Sequence, residues 1–83
     1  MEYIIAVYRS RSVSIRAYNI LLSKGITCAL ISTPRGANVG CGLSVKFNKA
    51  AFPNVRQLLS SGETFVGFFL VRATMSGSTV TRI

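Results

Sequence analysis

Read for the alternation of apolar and polar positions, the chain falls into strand-like and helix-like stretches in a recognisable order. EYIIAVYR, from Glu2 to Arg9, is almost continuously apolar and rich in β-branched and aromatic residues, which predicts a strand buried on both faces. Ser10, Arg11 and Ser12 then supply polar groups suited to a helix N-cap. From Val13 to Lys24 the period becomes helical: Val13, Ala17, Ile20, Leu21 and Lys24 recur at three and four, and Ile15, Tyr18 and Leu22 widen the stripe. Gly25 follows as a good C′ residue. ITCALIST, from Ile26 to Thr33, predicts a second strand, stopped by Pro34, which has no N–H to give to a ladder. GLSVKF, from Gly42 to Phe47, alternates Leu43, Val45 and Phe47 with Ser44 and Lys46, as a half-exposed strand does.

A second helix is expected within residues 51–61, either capped by Asn54 or with Ala51 to Pro53 as its first turn. Val55, Leu58 and Leu59 would face the core, and Gly62 would end it. ETFVGFFLVRA, from Glu63 to Ala73, predicts the fourth strand, with Gly67 marking a bulge or close packing against a helix. The tail, residues 73–83, is polar around Ser76 to Ser78 and apolar again at Val80 and Ile83; it fits a flexible end or a short extra strand at a sheet edge or dimer seam. With short connections and right-handed crossovers, this order predicts an α+β fold: a ferredoxin-like βαββαβ sandwich, a four-stranded antiparallel sheet with two helices on one face. The chain reads as a single domain, residues 1–83, with its core over about 2–72.

Composition adds two constraints. Apolar residues make up 49% of the 83, rich for so small a chain, which suggests a dimer or a partner surface. The formal charge of +8 favours anionic partners, yet the basic residues are dispersed and form no arm, so nucleic acid is not the favoured partner. The start MEYIIAVYRS does not read as a signal peptide, and the run FVGFFLV is far too short to span a membrane. Two cysteines without an export signal point to reduced thiols in the cytoplasm.

The inventory also narrows the chemistry. Without histidine there is no Ser-His-Asp or Cys-His arrangement within one chain. Cys28 and Cys41 cannot complete a zinc site, and Glu2 and Glu63, both near strand starts, make a poor acid/base pair. No phosphate-loop or dinucleotide glycine motif follows a strand. No metal or cofactor is implied, and a carrier or binding protein fits better than an enzyme.

What remains is TPRGANVGCG, Thr33 to Gly42. Gly36 can take positive φ without steric cost, and Gly40 and Gly42 flank Cys41 with no side chains, leaving the sulfur open to a partner. Free N–H groups there form an anion-binding concavity, and Arg35, fixed behind Pro34, is the best cation to lower the Cys41 pKa. The same cysteine, at a strand start, can equally be a small buried hydrophobe. Cys28, mid-strand between Thr27 and Ala29, reads as core packing.

The chain resembles the small selenium/sulfur carrier-like family. EYIIAVY, the "RAY" of the helix, and Thr33-Pro34-Arg35 followed after a spacer by Cys41-Gly42 and LSVKF carry the resemblance, over residues 2 to about 72. The spacer GANVG and the strong positive charge depart from the family's pattern. The resemblance implies Cys41 as the residue holding a transferred chalcogen, with donor and acceptor proteins of a thiol-transfer pathway as partners. Two other readings stay open: a non-catalytic small-ligand or interaction module, and, less favoured, a single-stranded nucleic-acid binder using Tyr3, Tyr8, Phe65, Phe68 and Phe69.

Overall fold

The computed structural model describes residues 1–37, 42–59 and 64–83, with the side chain of Arg35 left aside. Its elements are β1 (Glu2–Tyr8), α1 (Arg11–Ser23), β2 (Cys28–Ser32), a 3-10 turn (Arg35–Ala37), β3 (Leu43–Phe47), a second 3-10 turn (Lys49–Ala51), α2 (Phe52–Leu59), β4 (Phe65–Thr74) and β5 (Gly77–Arg82). The strands form one antiparallel sheet in the order β2-β3-β1-β4-β5. β1 and β2 therefore run parallel with β3 between them, and β3 and β4 run parallel with β1 between them.

The fold is α+β as expected, with five strands rather than four. The tail supplies the fifth: Ala73 and Thr74 complete β4, Met75 and Ser76 make the turn, and Gly77 to Arg82 pair back onto β4 in unbroken register. The Thr74 hydroxyl closes this hairpin by donating to the Gly77 carbonyl at 2.8 Å. Of the two outcomes expected for the tail, the edge strand is the one observed.

Helix α1 starts where the polar triplet placed it. Ser10 is the cap, its hydroxyl accepting from the Val13 N–H at 3.4 Å. The helix ends ahead of Gly25, which takes φ +76°, the left-handed conformation a glycine allows cheaply. Of the stripe that the pattern indicated, Ala17 and Leu21 face the core and Val13 and Tyr18 pack against it. Ser14, Ala17 and Leu21 are buried, while Ile15, Ile20 and Leu22 are exposed. Small residues let the helix lie close on the sheet, and the Ser14 hydroxyl donates to the Leu43 carbonyl of β3 at 3.0 Å.

Before α2 it is Asn48, not Asn54, that caps: its side chain accepts from Ala50 N–H at 2.9 Å, at the head of the second 3-10 turn. Val55 and Leu59 reach the core; Leu58, expected there, is 38% exposed. The expected stop at Gly62 and strand start at Glu63 lie outside the described residues.

Both helices cover the same face of the sheet. Ile4, Ala6 and Tyr8 of β1, Val45 and Phe47 of β3 and Phe68 of β4 pack there against Ala17, Leu21, Val55 and Leu59. Fully burying each of the larger aliphatic side chains, such as Leu21, Val45 and Val55, stabilises the fold by about 1.5–3 kcal/mol. Tyr8, Phe65, Phe68, Phe47 and Phe52 form a chain of tilted and edge-on ring contacts with centroids 5.0–6.2 Å apart. These rings pack edge to face against one another, which leaves them poor platforms for nucleotide bases.

The opposite face has its own cluster of Ile5, Val7, Phe69 and Val71, closed by Ala37 from the first 3-10 turn, with Val80 of β5 packed against it. Gly67 does mark a bulge, since the β1–β4 register shifts between Val7 and Tyr8. The group that approaches it closely is the Arg82 guanidinium, 3.1 Å from where a Cβ would stand, and not a helix. Arg82 donates to the Val66 carbonyl at 2.8 Å.

Candidate functional site

The segment with most chemistry in the sequence connects β2 to β3, and both of its ends are tied to the sheet. Thr33 N–H donates to Gly42 O at 2.9 Å, extending the ladder one pair beyond β2. The Thr33 and Ser44 hydroxyls share a hydrogen bond of 2.6 Å, which satisfies Ser44 in a fully buried position. Pro34 then stops the pairing, and the chain turns across the sheet face that the helices leave open. Ala37 N–H donates to Pro34 O at 3.0 Å, closing the 3-10 turn, and Ala37 is only 2% exposed within the second cluster.

Gly36 is needed for space and not for conformation. It does not adopt positive φ; a Cβ there would stand 2.7 Å from the Val80 Cβ and 2.8 Å from its Cγ2. The expectation that Gly36 supplies a left-handed turn is therefore corrected: β5 lies too close for any side chain. Gly42 is the converse case, at φ +85° with open space around a hypothetical Cβ. The structure thus places Pro34 and Gly36 in a turn packed on one face of the sheet, and Gly42 beside Thr33 at the entry to β3. Arg35 opens the 3-10 turn with its backbone. Gly40 and Cys41, together with the side chain of Arg35, lie outside what the structure describes, so the proposed cradle around the sulfur does too. One N–H of the segment, that of Ala37, is already committed to Pro34 O.

A second feature sits at the other end of β2. A groove of about 840 Å³ runs beside the start of that strand, lined among others by Glu2, Tyr3, Ile26, Cys28, Lys46 and Phe47. Lys46 Nζ lies 4.5 Å from the centroid of the Tyr3 ring, a cation–π contact. Cys28 is a free cysteine whose thiol points at the Tyr18 carbonyl, 3.7 Å away, and packs on the helix-side core. Burial pushes its pKa up, which favours the unreactive thiol form. Its reading as core packing holds. The five residues of β2 separate the groove from Thr33 by roughly 17 Å, so groove and loop are distinct places.

At the same end of the sheet Glu2 accepts from Lys49 Nζ and Arg72 Nε, each at 2.6 Å. Those two hydrogen-bonded cations hold the Glu2 carboxyl down at about 2. Such a carboxylate stays ionised and serves as a tie between elements, not as an acid or base. No local pattern signals the contact between Gly36 and Val80, because the partners are 44 positions apart. The nearest available signal was the β-branched Thr79-Val80-Thr81 after a Ser-Gly turn, which is strand-like in a stretch otherwise read as a tail.

One family model, described as "Putative Se/S carrier protein-like", matches residues 2–66. That match starts with β1, runs through the whole Thr33–Gly42 segment and ends within β4. No curated protein and no solved structure matches the chain.

Proposed function

The chain belongs to the Se/S carrier protein-like family, and from that premise we propose that it carries a chalcogen atom on Cys41. The Cys41 thiolate attacks the outer sulfur of a persulfide on a donor protein. The donor's S–S bond breaks, the donor cysteine leaves as a thiolate, and Cys41 now bears the S–SH group. Delivery repeats the exchange: an acceptor thiolate attacks the outer sulfur, and Cys41 leaves as thiolate. Each step is an exchange at sulfur with no net oxidation; with selenium, the outer atom is selenium instead.

In this reading Arg35 stabilises the anionic forms of Cys41, and Gly40 and Gly42 leave room for the partner's sulfur. Pro34 and Gly36 direct the segment, and donor and acceptor meet it in the cytoplasm. The scaffold is read as ferredoxin-like over its first four strands, with β5 added outside β4. The observation that carries the proposal is the family match running through Thr33–Gly42. Support comes from Cys28, whose thiol points at the Tyr18 carbonyl and packs on the helix-side core, where burial favours the protonated form.

The test is loading with a cysteine desulfurase and free cysteine, read by intact mass. Wild type and Cys28→Ser should gain the mass of one sulfur atom, reversible by reductant, and Cys41→Ser should not. Equal loading of Cys41→Ser would refute the role of Cys41. The groove beside Cys28 favours a second reading, an interaction module in which Cys41 is incidental.

A further inference from the structure

The sheet has two outer edges, β2 and β5, and they are protected very differently. Edge strands are normally closed by charged side chains, proline or a bulge. β5 carries Arg82, whose guanidinium crosses to Val66 O, and has the first 3-10 turn packed on its Val80. β2, with the sequence CALIS, contains no charge and no proline, and its register with β3 is unbroken over all five pairs.

The direction of its free groups follows from the ladder. Thr33 N–H donates to Gly42 O, so that pair is a hydrogen-bonded one. Bonded and non-bonded pairs alternate in an antiparallel ladder. Ala29 and Ile31 are therefore bonded to β3, while Cys28, Leu30 and Ser32 direct their N–H and C=O groups away from the sheet. Among the described residues no strand lies outside them.

We propose that the outer edge of β2 is a docking strand for an extended, acidic segment of another protein. Backbone groups of Cys28, Leu30 and Ser32 would pair with it, as in strand addition generally. The groove at Cys28 and Ala29 gives space for its side chains at one end. Charge selects the class of partner. The chain carries +8, Lys46 lines the groove, and Lys24 stands exposed just before the strand. Among the described residues Lys46 makes no ion pair: its ammonium lies over the Tyr3 ring, and Glu2, which lines the same groove, is shared by Lys49 and Arg72. An acidic strand is attracted by this field, whereas a second copy brings another +8.

The inference stands apart from Cys41 and is tested without it. The probe is an acetylated, amidated peptide Glu-Val-Glu-Val-Glu, compared with the same peptide carrying glutamine for glutamate. Binding is followed by amide exchange and chemical-shift changes in isotope-labelled protein. The acidic peptide should slow exchange at Cys28, Leu30 and Ser32 and leave Ser78, Val80 and Arg82 unchanged. It should bind about tenfold tighter than the glutamine peptide, as a few exposed charge pairs would give, with the gap closing at high salt. Lys46→Gln should narrow that gap. Ser32→Pro removes an outward donor and no ladder bond, so the fold persists by circular dichroism while affinity drops. Protection along β5 instead, equal affinity for the two peptides, or no binding overturns the proposal. So does concentration-dependent protection of β2 in the free protein, which would mean that a second copy covers the strand.

Discussion

The two faces of the sheet are closed by different means. On one, α1 and α2 lay Ala17, Leu21, Val55 and Leu59 over the sheet, and many side chains share the burial. On the other, a three-residue 3-10 turn inserts Ala37 among Ile5, Val7, Phe69 and Val71 and passes close to Val80 of β5. The helix face is a broad core in which no one contact decides the geometry. The loop face has a smaller cluster, and its turn lies so close to β5 that Gly36 has no room for a side chain beside Val80. The described start of the segment with the most chemistry, Thr33 to Ala37, therefore also helps close the sheet, against a strand beyond the reach of the family match.

The largest expected effect tests the breadth of the helix face. Leu21 is fully buried there, and Leu21→Ala should cost about 2–5 kcal/mol, read as a shift in denaturant midpoint at unchanged m-value. A cost well under 1 kcal/mol would mean that this face is loosely packed and that the contrast between the faces is misplaced.

A smaller effect is expected at Gly36, where the turn comes closest to β5. Gly36→Ala puts a Cβ 2.7 Å from that of Val80, and overpacking of this kind costs roughly 1–3 kcal/mol. Val80→Ala in the same chain should recover part of the loss, since it removes Cγ2, the second atom in the way. A double-mutant cycle measures that recovery. Additive losses from the two substitutions would show that Gly36 and Val80 are not coupled, and the idea of a β5 brace would fall.

This contrast also explains what could be read in advance. Local signals placed β1, the Ser10 cap, Gly25 and Pro34, because each depends on neighbours within four residues. The helix stripe held at Ala17 and Leu21 but not at Ile15, Ile20 and Leu22, which are exposed, and it missed Ser14, whose close approach to the sheet hydrophobicity does not encode. The cap at Asn48 was missed because a 3-10 turn precedes α2 and shifts the start of the helical stretch. β5 was half legible from its β-branched residues and turn. Its contact with Gly36 was not legible at all, since it joins residues that meet only after the sheet has formed. For the site, Pro34 and Gly36 fall in the turn packed on the sheet and Gly42 at the entry to β3, but the reason for Gly36 proved to be steric and not conformational.

The smallest effect concerns how the helix-side end of the sheet is tied across strands. Glu2 on β1 binds Lys49 on one side and Arg72 of β4 on the other, both at 2.6 Å. These cations favour the carboxylate over the acid and lower its pKa from 4.5 to about 2. A group with a depressed folded-state value contributes stability above its unfolded value and loses it as pH falls through the folded one. The contribution should therefore be complete above about pH 4.5 and fade between there and about 2. Glu2→Gln removes the titrating group, so the midpoint of urea unfolding should fall less steeply with pH across that window than in wild type. Surface ties of this kind are weak and screened by salt, so the difference should shrink in concentrated salt while the Leu21 and Gly36 effects do not. Identical slopes for wild type and Glu2→Gln would mean that the pairs fix geometry at this end of the sheet without stabilising it, leaving apolar burial alone to hold the helix face.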